Sequence, residues 1–123
     1  MSASQKKTPA PKKIQAVFYR SKAGHEPVRD WLKEDLSAED RKIVGVDIAT
    51  VEYGWPIGMP TCRPLGHNGL REVRSSLPGK RIARVIFCIV DDRMVLLSGF
   101  IKKTQKTPQS EIDKAAKRMK EIV

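Results

Sequence analysis

Arg84 falls in the row Ile82, Arg84, Ile86, Cys88, every second residue of the run from Arg81 to Val90, so in a strand it shares one face with three apolar side chains. A guanidinium buried there without a counter-charge is costly, and the position calls for a carboxylate or an anionic ligand. The preceding run, Leu70 to Ser75, holds a carboxylate at the right period: Glu72 and Arg74 share one face, Arg71, Val73 and Ser75 the other. Two readings fit. Glu72 and Arg84 form a structural pair inside a half-buried sheet, or the arginines hold a phosphate. Both can be true at once, because a paired guanidinium keeps donors to spare.

A second cationic group closes the next run, Met94 to Ile101. Phe100 and Lys102 are expected on one face, and Lys103, Gln105 and Lys106 follow in the link. An aromatic ring beside several cations can stack an unpaired base while the cations hold the backbone, a combination suited to single-stranded RNA. The plainer alternative is a core phenylalanine beside solvated lysines. Familiar catalytic sets are missing: His25 and His67 stand alone without metal-ligand spacing, and neither a glycine-rich phosphate loop nor a Ser-His-Asp set can be assembled. Chemistry on this chain would run on Arg and Lys, with Glu72 as the well-placed carboxylate. RNA cleavage suits such a set, because the 2′-OH of the substrate is itself the nucleophile. The protein need only align the strand, stabilise charge on the phosphorus and carry protons, for which a lysine in a crowded cationic site is suited.

Charge distribution supports a polyanionic partner. The net charge is +10, and residues 71–106 hold nine basic residues against Glu72, Asp91 and Asp92, whereas residues 14–70 hold seven basic and eight acidic ones. Lys6, Lys7, Lys12 and Lys13 add a basic tail. Nucleic acid is the natural partner for that asymmetry.

The elements that must position these groups follow from periodicity. At 123 residues the chain makes one domain. Residues 1–13 are polar and Pro-interrupted and read as a disordered basic arm, with the domain spanning 14–123. Ile14 to Arg20 alternates as a strand. Pro27 opens a short helix with Val28, Trp31 and Leu32 on one face, ending near Leu36. Ser37-Ala38-Glu39-Asp40 resembles a capping box, and Val44, Ile48, Val51 and Trp55 mark a long helix stopping near Gly54. A breaker-dense loop of about a dozen residues follows. Three strands then form an antiparallel meander, and Thr107 with Pro108 starts a last helix striped by Ile112, Ala115, Ala116, Met119 and Ile122. The predicted order is β-α-α-β-β-β-α, an α+β fold. The cysteines, Cys62 and Cys88, suggest neither a disulfide framework nor zinc, and without a long apolar run or a leader-like start the cytoplasm is the expected compartment.

Pro64-Leu65-Gly66, Gly69-Leu70-Arg71-Glu72-Val73-Arg74, Arg84-Val85, Gly99-Phe100-Ile101-Lys102-Lys103-Thr104-Gln105-Lys106-Thr107-Pro108 and Ala115-Ala116-Lys117-Arg118 together resemble the phage Gp49-like, HigB-type branch of the RelE/ParE toxin superfamily. The resemblance spans residues 14–122. It implies a RelE-like fold, a small antiparallel sheet with helices packed on one face. It also implies the toxin of a type II toxin–antitoxin pair: a metal-independent endoribonuclease without cofactor, cutting mRNA on the ribosome and silenced by a helix-turn-helix, HigA-like antitoxin. Arg74 and Arg84 then match positions that hold the scissile phosphate, and Lys102 and Lys103 match the cationic strand end. Arg71, Phe100 and Lys106 become RNA-contacting candidates, with Glu72 as organiser. Arg71 stands where this branch usually has an aromatic residue, and the catalytic histidines of some HigB toxins have no counterpart. A ParE-type inhibitor of DNA gyrase and a non-enzymatic nucleic-acid-binding protein are the competing readings.

Overall fold

The computed structural model describes residues 11–66, 68–102 and 106–122. Five strands form one sheet in the order β1-β5-β4-β3-β2: β1 (Gln15–Phe18), β2 (Cys62–Pro64), β3 (Arg71–Leu77), β4 (Arg81–Val90) and β5 (Arg93–Lys102). The helices are α1 (Pro27–Asp30), which continues as a π-helical turn through Asp35, α2 (Ala38–Gly54) and α3 (Gln109–Lys120). The predicted α+β class and the order of the long elements hold. Among the described residues, no helix is long and apolar enough to cross a membrane.

Three features go beyond the expected meander. β1 pairs with β5 in parallel, Ala16 opposite Met94, so the sheet is mixed rather than wholly antiparallel. β2 lies inside the segment predicted as loop and pairs antiparallel with β3, Cys62 opposite Val73. The helices occupy both faces. α1 and α2 cover one of them, packing Val28, Val44, Ile48 and Val51 against Val73, Val85, Phe87 and Leu96. α3 covers the other, where Ala115, Ile112 and Met119 meet Ile86, Cys88, Val95 and Leu97. Strand parity explains this directly: β4 is buried on both sides, with alternate residues feeding two cores. Burying each such aliphatic side chain contributes about 1.5–3 kcal/mol.

Local chemistry sets the boundaries. Ser37 Oγ accepts the Asp40 amide at 3.1 Å, as the capping motif predicts. The Asp40 carboxylate turns to Arg81 instead, accepting two bonds at 2.8 and 3.2 Å. Arg41 donates to the carbonyls of Leu32, Lys33 and Leu36, closing the end of the π-helical turn. Gly99 faces the turn that continues α1, and a Cβ there would overlap the Trp31 ring, so the indole packs against β5 only because this position is bare. Lys12 bridges to Glu52 at 3.1 Å, and the Lys13 amide donates to the Glu52 carbonyl, so the last residues of the expected arm are held on α2; residues 1–10 lie outside the described residues.

Candidate phosphate site on the α3 face

The strand register assembles the site in rows. Arg63 on β2 stands opposite Glu72 on β3, which stands opposite Ile86 on β4. The next row is Arg74, Arg84 and Phe100, and the last joins Ser76, Ile82 and Lys102. All of these belong to the α3 face. β5 reaches it through a bulge: Phe87 pairs with Leu96 but Ile86 with Ser98. Without the extra residue Phe100 and Lys102 would follow Met94 and Leu96 onto the α2 face. The bulge re-aims them beside Arg84 and Ile82.

Glu72 is fully buried and is the hub of the cluster. Arg63 Nε donates a short hydrogen bond to Oε2, Arg74 Nε lies 4.0 Å from the same oxygen, and the Thr107 hydroxyl donates to Oε1 at 2.5 Å. Arg63 Nη2 also donates to Thr107 Oγ1 at 3.4 Å. Arg84 has no exposed surface, and burial holds its guanidinium below the usual arginine range; Glu72 opposes that shift, while Arg74 and Arg63 add to it. Three guanidiniums thus surround one carboxylate. Arg74 and Arg84 are direct cross-strand neighbours, a like-charge pairing that disfavours the bare sheet and favours an anion beside it.

Access to the cluster is graded. The side chains of Arg63 and Arg74 are 29% and 14% exposed, and Arg84 lies beneath them. Arg74 and Ser76 line two adjoining shallow cavities, of about 240 and 320 Å³, at the edge of β3 beyond the end of β2; Pro60 belongs to both and α2 contributes Ile43 and Asp47. Lys102 is exposed at the end of β5, and Lys106 is exposed just ahead of α3. α3 itself is fastened over the sheet by Ser98 Oγ donating to Glu111 at 2.8 Å and by Arg118 Nη1 donating to the Leu97 carbonyl at 2.6 Å.

Measured against the residues expected from sequence, the fold brings Glu72, Arg74, Arg84, Phe100 and Lys102 onto one face. Arg71 goes elsewhere: its parity in β3 sends it to the α2 face, where the guanidinium lies 5.0 Å over the Trp55 ring. The Phe100 ring is 8% exposed and packed in the α3-side core, so in this conformation it is a wall rather than a stacking platform. Lys103 lies outside the described residues, as does His67. His25 lines a separate cavity at the far end of α3 with Tyr19, Lys114 and Lys117. Arg63 and Thr107 were not anticipated. Arg63 sits in a Pro-rich segment with no strand signal, and Thr107 was expected to cap α3; Pro108 occupies that position instead, without a side-chain cap.

A family model for phage-derived Gp49-like proteins (DUF891) matches residues 30–120, which includes every described side chain of this cluster. The chain belongs to that family. It is the RelE/HigB-type toxin family, and membership points to the toxin of a toxin–antitoxin pair. No curated protein matches the chain.

Proposed function

We propose that this Gp49-like protein is the toxin of a type II toxin–antitoxin system and acts in the cytoplasm as an endoribonuclease on mRNA, at the ribosome. The observation that carries the proposal is the gathering of Arg63, Arg74 and Arg84 around one buried carboxylate, with Lys102 exposed at the same sheet end. In this reading the scissile phosphate rests against the accessible faces of Arg74 and Arg63, and Arg84 supplies positive potential from beneath. The 2′-oxygen attacks the adjacent phosphorus as its proton leaves. The bond to the 5′-oxygen breaks, that oxygen takes up a proton, and a 2′,3′-cyclic phosphate and a 5′-OH end remain. The guanidiniums stabilise the extra negative charge of the five-coordinate phosphorus, a contribution of about 10²–10³ in rate for one well-placed donor. Proton transfer is assigned to a lysine at the end of β5, Lys102 or Lys103, with Lys106 as an RNA contact.

The silencing partner proposed is a helix-turn-helix antitoxin, and an adjacent reading frame encoding one would support the assignment. Primer extension on transcripts after induction tests the reaction. Discrete new 5′ ends, lost in Arg74→Ala, support it; arrested replication with intact transcripts would favour the gyrase-directed alternative. Binding to RNA with steep salt dependence but no cleavage would leave only a binding protein.

A further inference from the structure

The geometry points to Thr107 as a positioning residue that sets the orientation of the Glu72 carboxylate and, through it, the placement of Arg63 and Arg74. This rests on the ribonuclease reading above. Thr107 is 4% exposed, directly follows Lys106 and opens the approach to α3. A threonine there would ordinarily cap the helix, yet its hydroxyl is turned into the sheet and donates to Glu72 Oε1 at 2.5 Å. That is the length of a charge-assisted O–H···O⁻ bond. α3 starts instead from Pro108, whose carbonyl accepts the amides of Glu111 and Ile112.

The consequence lies in how the two oxygens of Glu72 are shared. Oε1 is taken by Thr107, and Oε2 faces Arg63 and Arg74. Without the hydroxyl, the buried Oε1 loses its neutral donor, and the carboxylate gains by turning both oxygens to the guanidiniums. Arginine forks match a carboxylate in that two-point fashion. Arg63, which also loses its own bond from Nη2 to the Thr107 hydroxyl, and Arg74 would then be drawn onto Glu72 and shift relative to a bound phosphate. Thr107 therefore keeps Oε1 occupied and fixes how Arg63 and Arg74 sit on Oε2, the arrangement that the proposed phosphate contact uses. Its location also ties the start of α3, next to Lys106, to the centre of the arginine cluster.

The test compares wild type, Thr107→Val, which keeps the shape without the hydroxyl, and Thr107→Ser, which restores it. Two readouts are taken on the full chain: the side-chain Nε–H resonances of Arg63 and Arg74 by NMR, and cleavage of an mRNA in a reconstituted translation mixture as a function of mRNA concentration. In Thr107→Val both resonances are expected to move and kcat to fall by about 10²-fold, the scale of an ångström-sized misplacement, with KM changed less than threefold. Thr107→Ser is expected to return both readouts to near wild type. Arg63 touches the Thr107 hydroxyl itself and shifts for that reason alone, so an unmoved Arg74 resonance in Thr107→Val would overturn the carboxylate-orienting role, and moved resonances with undiminished kcat would overturn its role in positioning for the reaction. If wild type itself cleaves nothing, the ribonuclease reading fails while the resonances still decide the Thr107–Glu72 link. Should Thr107→Val not fold, Thr107→Ala gives the same readouts with a smaller side chain.

Discussion

The two faces of the sheet are built by the same strands, yet they handle charge in opposite ways. On the α2 side three arginines each have a local use: Arg81 holds Asp40 in a two-point pair, Arg41 closes three carbonyls, and Arg71 lies on Trp55. The rest of that face is a continuous apolar core from Ile14 to Leu96. On the α3 side the apolar packing stops partway along the strands, and Arg63, Arg74 and Arg84 converge on Glu72. Neighbouring residues of β3 and β4 thus serve stability or a site according to parity alone. A fold this small can carry a cationic site inside its sheet because the other face supplies most of the core.

The contrast predicts that changes on the α2 face cost stability and spare the reaction. Phe87→Ala removes a fully buried ring that meets Trp55 edge-on at 6.0 Å between centroids, and it should lower the unfolding free energy by about 3–5 kcal/mol in urea titration. Its folded fraction should cleave RNA at the wild-type rate; a rate loss as large as that of a site variant would break the division between faces. Gly99→Ala forces Trp31 off β5 and should cost about 1–3 kcal/mol by overpacking. Because the displacement begins on the α2 side, cleavage should again follow the folded population.

Arg71→Ala sharpens the comparison, since Arg71 is one residue from Glu72 but on the other face. It should lose about 0.5–1 kcal/mol of stability from the Trp55 contact and leave cleavage unchanged. The smallest effect is pH-dependent. Hydrogen bonding to Arg81 holds the Asp40 carboxyl below its ordinary value of 3.8, so the pair stabilises the fold above about pH 4. That contribution is lost as pH falls through the lowered folded-state pKa. The difference in urea midpoint between wild type and Asp40→Asn should therefore be steady near neutrality and shrink below about pH 4.

Much of this architecture was legible in the sequence, and the gaps have physical causes. α2, β4 and β5 announce themselves by period, and the charge asymmetry alone locates the cationic segment. β2 was hidden because three residues ending in Pro64 carry no alternation; its pairing with β3 is what defines it. Helices on both faces follow from β4 being apolar at successive positions, a pattern that tells of burial on both sides but not of which helix covers which. Glu72, Arg74 and Arg84 could be placed on one face by parity. Phe100 and Lys102 join them only through the bulge before Ser98, which no local residue pattern marked. Arg63 reaches Glu72 through the unsignalled β2–β3 pairing and Thr107 by tertiary contact from just ahead of α3, so spacing could not link them to Glu72.

The central claim is that the arginine cluster and the adjoining lysine act on a phosphate of RNA. The most direct measurement is primer extension on cellular transcripts after induction of wild type and of an Arg74→Ala, Lys102→Ala double variant, with folding of both verified by circular dichroism and urea titration. The account predicts that new 5′ ends become at least about 10²-fold rarer in the folded double variant and that growth arrest is relieved. Undiminished cleavage and arrest by that folded variant would contradict it.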